Sequence, residues 1–149
     1  MLQALSGWLA KAAAQKPDAE AEALLSARLA PDMFPLSTQI RFACVQAYEG
    51  VYRLRGAAFP TSLTELLDEG RNAGERPGSL DMDPDSPIAH QLANGMIFDL
   101  TAEQYVRDWM LGQFYFHIMT AYSILRSAGV DIGKADYIPH MLPYLRQAG

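Results

Sequence analysis

The stretch from Thr101 to Gly129, TAEQYVRDWMLGQFYFHIMTAYSILRSAG, contains no proline and is apolar around most of its circumference when wound at 3.6 residues per turn. One row reads Tyr105, Trp109, Gly112, Phe116 and Met119. A second reads Leu111, Phe114, Ile118, Tyr122 and Leu125, and a third Val106, Met110, Gln113, His117, Ala121 and Ile124. A helix with so few polar sides must be covered by other helices of its own chain or by a second subunit. The spacing Thr101–Gln104 fits a capping box at its start, and Gly129 behind Arg126 fits a left-handed glycine stop. Gln113 and His117 are the polar exceptions in the apolar rows. Gly112, in the middle of the helix, predicts a kink or a close helix crossing there.

The other bounds follow from length and charge. At 149 residues, half of them hydrophobic, the chain suits one domain, 1–149. A net charge of -5 with only twelve scattered Lys and Arg argues against a nucleic-acid partner. Cys44 is the only cysteine, which excludes an intrachain disulfide and favours a reducing, cytoplasmic setting. The N-terminus has no basic segment ahead of its apolar residues, and no run approaches membrane-span length, so neither a signal peptide nor a membrane association is expected.

Along the chain, Leu2, Leu5, Trp8, Leu9 and Ala12 recur at helical spacing up to Lys16-Pro17. Asp18 precedes a short acidic-started helix expected to reach about Leu29. From Pro35 to about Arg55, the residues Leu36, Ile40, Ala43, Ala47, Val51 and Leu54 give a second long amphipathic helix. Thr61 fits the cap of a truncated third helix. Residues 70–94 are rich in Gly, Pro and Asp and read as a loop. Asn94-Gly95 is a turn signal before an extended arm at Met96–Leu100. After Gly129 an irregular tail is expected to pack Val130, Ile132, Tyr137 and Leu142 over the helices.

Two motifs, RLAPDMFPLSTQIRFAC at 28–44 and QFYFHIMTAYSILRSAGVDIGKADY at 113–137, resemble a family of bacterial and fungal proteins whose domain carries an unknown-function label. That family is placed with the DinB/YfiT-like metalloenzymes. The resemblance implies an all-α, DinB-like four-helix bundle, here with a shortened third helix, a short extended segment before the last long helix and an irregular C-terminal tail. The chain departs from the family in having Gly112-Gln113 where Pro-Asn is expected. In the wider group the resemblance implies a divalent metal, zinc or nickel, held by one His of the second helix and a His-x3-His pair on the fourth.

Only His117 stands in such a position. Gln113 precedes it by four residues, Ala121 follows by four, and the second long helix has no His. His117 is therefore the single metal-ligand candidate, no cofactor is assigned, and the default for a buried imidazole is a hydrogen-bonded one. His90, in the loop, and His140, between prolines, have no ligand partner at helical spacing. Arg28, Asp32 and Arg41 bracket a proline-bounded connection and suit an ion pair or, less well, an anionic ligand. Cys44 reads as an inert thiol.

Three functions remain. The first is a small-molecule site between helices at Gln113 and His117, with Gln39 and Arg41 as further ligand-binding candidates. The second is a metal-dependent transferase or hydrolase, by resemblance to the DinB/YfiT-like group. The third is a non-catalytic homodimeric scaffold or interaction protein, because the apolar faces of the Thr101–Gly129 helix exceed what one shortened bundle can cover.

Overall fold

The computed structural model describes residues 1–57, 59 and 82–146, and the helix expected after Thr61 lies outside them. The described residues fall into two compact units, Met1–Cys44 with Phe114–Gly149, and Val45–Gln113.

In the first unit, α1 (Leu2–Gln15) buries Leu5, Trp8 and Ala12 and ends at Lys16, whose backbone is extended ahead of Pro17. Trp8 anchors the core. Its ring lies edge-on to Tyr122 at 5.2 Å and stacked on Tyr137 at 5.9 Å, while its indole N–H donates to the Asp136 carbonyl at 2.8 Å. Burying the indole with its one donor satisfied removes a large apolar area from water without an unmet polar atom.

The second helix, α2 (Asp18–Leu24), is shorter than expected. The chain turns back after Leu24, and the amides of Leu36 and Ser37 bond the Ala27 and Leu25 carbonyls that a continuing helix would have used. The second long helix, α3 (Leu36–Leu54), matches its apolar periodicity.

The described residues are mostly helical, as expected, but not all-α: the second unit holds a two-stranded antiparallel sheet, β1 (Pro87–Gln91) against β2 (Ile97–Thr101). The extended arm after Asn94-Gly95 is present as β2. Its partner β1 falls in the segment read as a loop. Pro87 is the first strand residue, opposite Thr101 at the end of the ladder, a position where a proline costs little pairing. Asn94 accepts from the Met96 amide through its side chain, and Gly95 takes φ 86° to close the turn.

Helical structure then begins with α4 (Ala102–Gln104). Thr101 Oγ1 accepts from the Gln104 amide at 3.2 Å and Gln104 Oε1 from the Thr101 amide at 2.9 Å, which is the expected capping box. Tyr105–Met110 is π-helical, a widening that 3.6-residue spacing does not reveal, and α5 (Leu111–Ser127) continues from it. At the far end Gly129 has φ 78°, its amide bonds the Arg126 carbonyl, and Val130 bonds Leu125. Together these bonds are a Schellman motif, which satisfies carbonyls the helix leaves free.

Gly112 does not mark a close crossing. A side chain added there meets nothing within 4 Å, whereas one added at Gly50 meets Met110 Sδ at 2.1 Å. The tight approach in the second unit is therefore α3 at Gly50 against Met110.

The tail is more regular than expected, with α6 (Lys134–Tyr137) and a 3-10 helix at Pro139–Tyr144. Val130 and Ile132 are buried in the first core as expected. Leu142 is not, at 58% exposed, because the proline-bounded 3-10 segment leaves Met141, Leu142 and Tyr144 outside the core.

Candidate functional site

In the first unit the polar centre lies between α3 and α5. Gln39 is fully buried one turn into α3, and its amide nitrogen donates to the Phe34 carbonyl at 3.1 Å. That bond fixes which end of the amide faces inward. Gln39 Oε1 consequently lies 2.8 Å from Nδ1 of His117. An amide oxygen only accepts, so Nδ1 must carry the ring proton, and in the neutral imidazole Nε2 must carry the lone pair. Burial lowers the His117 pKa below its ordinary 6.5, which favours this neutral form at pH 7.

His117 itself is 9% exposed. Around the ring stand Phe42 at 5.1 Å and Phe116 at 5.3 Å between centroids, and Phe34 packs edge-on against Phe42 at 5.4 Å. Phe34 and Phe116 are 57% and 55% exposed. The imidazole, its tautomer fixed by Gln39, is thus flanked by the Phe42 and Phe116 rings, with the exposed Phe34 packed on Phe42.

The other sequence candidates occupy different places. Arg41 is exposed with its guanidinium carbon 5.3 Å from the Phe42 ring centroid, a cation–π contact at the edge of the aromatic group. Gln113 is half-buried, and among the described residues it is Gln39, not Gln113, that bonds His117. Arg28 bonds the Met33 carbonyl and no described ion pair joins it or Arg41 to Asp32. Cys44 is half-buried, and burial pushes its thiol pKa up. His140 is exposed in the 3-10 helix.

His90 departs most from its expected place. It sits in β1, not in a loop, and is 3% exposed in the second unit. The alternation of β1 turns Ile88 and His90 to the same inner face, a pattern that proline punctuation concealed.

A divalent metal does not fit the residues around His117. No group of three His, Cys, Asp or Glu able to hold one occurs among the described residues, and the Gln39 oxygen is committed to Nδ1. A separate shallow depression of about 270 Å³ is lined by Lys16, Glu20, Ala23, Leu24, Ala27 and Ala128. Its lining contains none of the candidate residues. Its two charged groups already face each other, Lys16 Nζ lying 3.8 Å from Glu20, so no unmet polar atom there asks for a ligand.

No described helix is long and apolar enough to cross a membrane. The crystal structure of a DinB family member protein from Shewanella denitrificans is similar to this chain, with 32% sequence identity and a TM-score of 0.70 over 93% of this chain and 85% of that one. No curated protein matches the chain. The family model for a domain of unknown function, DUF1993, matches residues 1–138, and the chain belongs to that family.

Proposed function

We propose that this protein, as a single bundle domain, binds a small planar molecule at His117. The supporting observation is the chain of bonds from the Phe34 carbonyl through Gln39 to Nδ1 of His117, which leaves the Nε2 lone pair as the atom available to a ligand. A lone pair accepts from an acidic N–H or O–H, and the exposed rings of Phe34 and Phe116 suit a flat apolar body. Arg41, held over Phe42, suits an anionic substituent. Gln113, one turn before His117, is a further candidate for a polar contact. With its tautomer fixed, His117 can also serve as a general base toward the bound proton.

A second reading, a homodimer, is supported by the exposed apolar row of α5. Tyr115, Phe116 and Met119 are each more than 40% exposed, and neighbouring large apolar groups of that kind mark contact surfaces. The metal-dependent transferase or hydrolase reading has the relative's DinB family membership in its favour and the donor set around His117 against it. The lone half-buried thiol of Cys44 suits a reducing, cytoplasmic compartment.

Native mass spectrometry of protein purified without chelator or histidine tag separates these readings. Binding at His117 is supported by a retained organic mass, or one acquired from a panel of small phenols and heteroaromatic acids, that is lost in His117→Phe. A stoichiometric zinc or nickel lost in the same variant contradicts it in favour of the metal reading, and a dimer that takes up no ligand favours the scaffold.

A further inference from the structure

The second unit concentrates buried polar atoms without partners. Both ring nitrogens of His90, the Tyr105 hydroxyl, the Trp109 indole nitrogen and Gln46 Oε1 are inaccessible to solvent and have no hydrogen-bond partner among the described residues. Native interiors rarely tolerate this, and such groups usually mark an absent water or ion. His90 joins the two aromatic members of this group. Its ring lies 5.3 Å from Tyr105 and 4.7 Å from Trp109, and its Nδ1 is 3.8 Å from Glu49 Oε1. That oxygen in turn accepts from Nε and from the second guanidinium nitrogen of Arg53, each at 2.8 Å.

The residues come from three elements. Gln46, Glu49, Gly50 and Arg53 share one face of α3 by their three- and four-residue spacing. His90 comes from the inner face of β1, and Tyr105 and Trp109 lie four apart in the π-helical turn. Widened turns of this kind are frequent at functional sites.

We propose that His90, Tyr105 and Trp109 form an internal site for a small anion of one to three heavy atoms, such as chloride or formate, taken up together with one proton. It shares no residue with the His117 site and goes beyond that reading.

The donor inventory selects the class. Trp109 only donates, and Tyr105, its hydroxyl pKa pushed up to about 12 by burial and then by the Glu49 charge against the opposing charge and hydrogen bonding of Arg53, keeps its proton. Arg53 can only donate to that oxygen, so the O–H itself stays without an acceptor. The Arg53 guanidinium already engages the Glu49 oxygen nearest His90, so that carboxylate is a poor metal ligand and the local charge is balanced. A cation adds charge without satisfying Trp109 or Tyr105. An anion accepts from both. Neutral His90 already has one ring N–H, so the one added proton makes both nitrogens donors at once, Nε2–H to the anion as a third donor and Nδ1–H to Glu49, which needs to close only from 3.8 Å. With one anion and one proton added, Glu49 and the anion balance Arg53 and His90.

Proton uptake makes the affinity rise about tenfold per unit fall in pH while free His90 is neutral. The test titrates chloride and formate separately at pH 6 and pH 7.5 and constant ionic strength, following the Trp109 indole N–H and the His90 imidazole by NMR. A saturable shift of both resonances is expected, more than tenfold tighter at pH 6, with His90 becoming cationic at saturation. Trp109→Phe and Tyr105→Phe should each weaken it at least tenfold while the amide spectrum shows the fold retained. The two anions report which member of the class is preferred. No saturable shift with either anion at pH 6 overturns the proposal, as does a shift unaltered in Trp109→Phe. An exchange signal from bound water to the Trp109 indole that no anion displaces also overturns it and assigns the site to water.

Discussion

Nδ1 of His117 lies 2.8 Å from Oε1 of Gln39, and the same amide gives its nitrogen to the Phe34 carbonyl. The pair decides the ring's tautomer, and with it the atom that can act. Replacing Gln39 with Leu leaves a buried imidazole N–H unmet at a cost of about 1–3 kcal/mol. Urea denaturation should show that loss for Gln39→Leu. His117→Leu in turn orphans the buried Gln39 Oε1 and should abolish ligand binding, so the Gln39→Leu, His117→Leu double variant, which removes both partners, should cost less than the two single variants summed.

Acid should weaken the fold. Burial lowers the pKa of His117, and of His90 with Arg53 adding to it and Glu49 opposing, so both fall below the ordinary 6.5. Between the unfolded value of about 6.5 and the lower folded values, the unfolded chain binds more protons, so stability is full above about pH 6.5 and is lost as pH falls toward the folded pKa. Denaturation midpoints at pH 7.5 and 5.5 in a buffer without small anions should differ in that direction. The difference should shrink in the His90→Gln, His117→Gln double variant.

The two helical glycines should respond oppositely. Gly112→Ala adds a methyl where nothing lies within 4 Å, and replacing a mid-helix glycine should stabilise by about 1 kcal/mol. Gly50→Ala drives Cβ to 2.1 Å from Met110 Sδ, so it should destabilise despite the same propensity gain. Thermal melts of both variants measure the contrast.

Trp8 should be the costliest single truncation in the first unit. It is 1% exposed, contacts Tyr122 and Tyr137, and donates to Asp136, whose carboxylate is itself held by Lys11 at 2.6 Å and by the Gly133 amide at 2.9 Å. Trp8→Ala should cost about 3–5 kcal/mol, while the exposed Lys11→Ala should cost less than about 1 kcal/mol. Chemical denaturation of the two variants checks the ranking.

What could be read ahead of the structure followed local chemistry. The Thr101–Gln104 box, the Gly129 stop and the Leu36–Leu54 periodicity each depend on residues within one or two turns, and each has the expected geometry. The π-helical turn at Tyr105–Met110 and the strand carrying His90 do not. A widened turn is set by what it packs against, here Gly50 of α3 against Met110, and β1 depends on a partner strand beyond a turn. The same holds at His117. Helical spacing points to Gln113, but the hydrogen-bond partner is Gln39, 78 positions away on another helix. His90 has no ligand partner at helical spacing in the sequence, yet it lies in a buried group whose members are scattered over α3, β1 and the π-helical turn.

The proposal that His117 presents a free Nε2 to a ligand is tested most directly by long-range nitrogen–proton NMR of its imidazole, with and without the aromatic acid selected by native mass spectrometry. The neutral, Nδ1-protonated tautomer is expected at pH 7, with the Nε2 resonance alone moving strongly as the ligand saturates. An Nε2-protonated ring, or a ligand that leaves Nε2 unmoved, would contradict it.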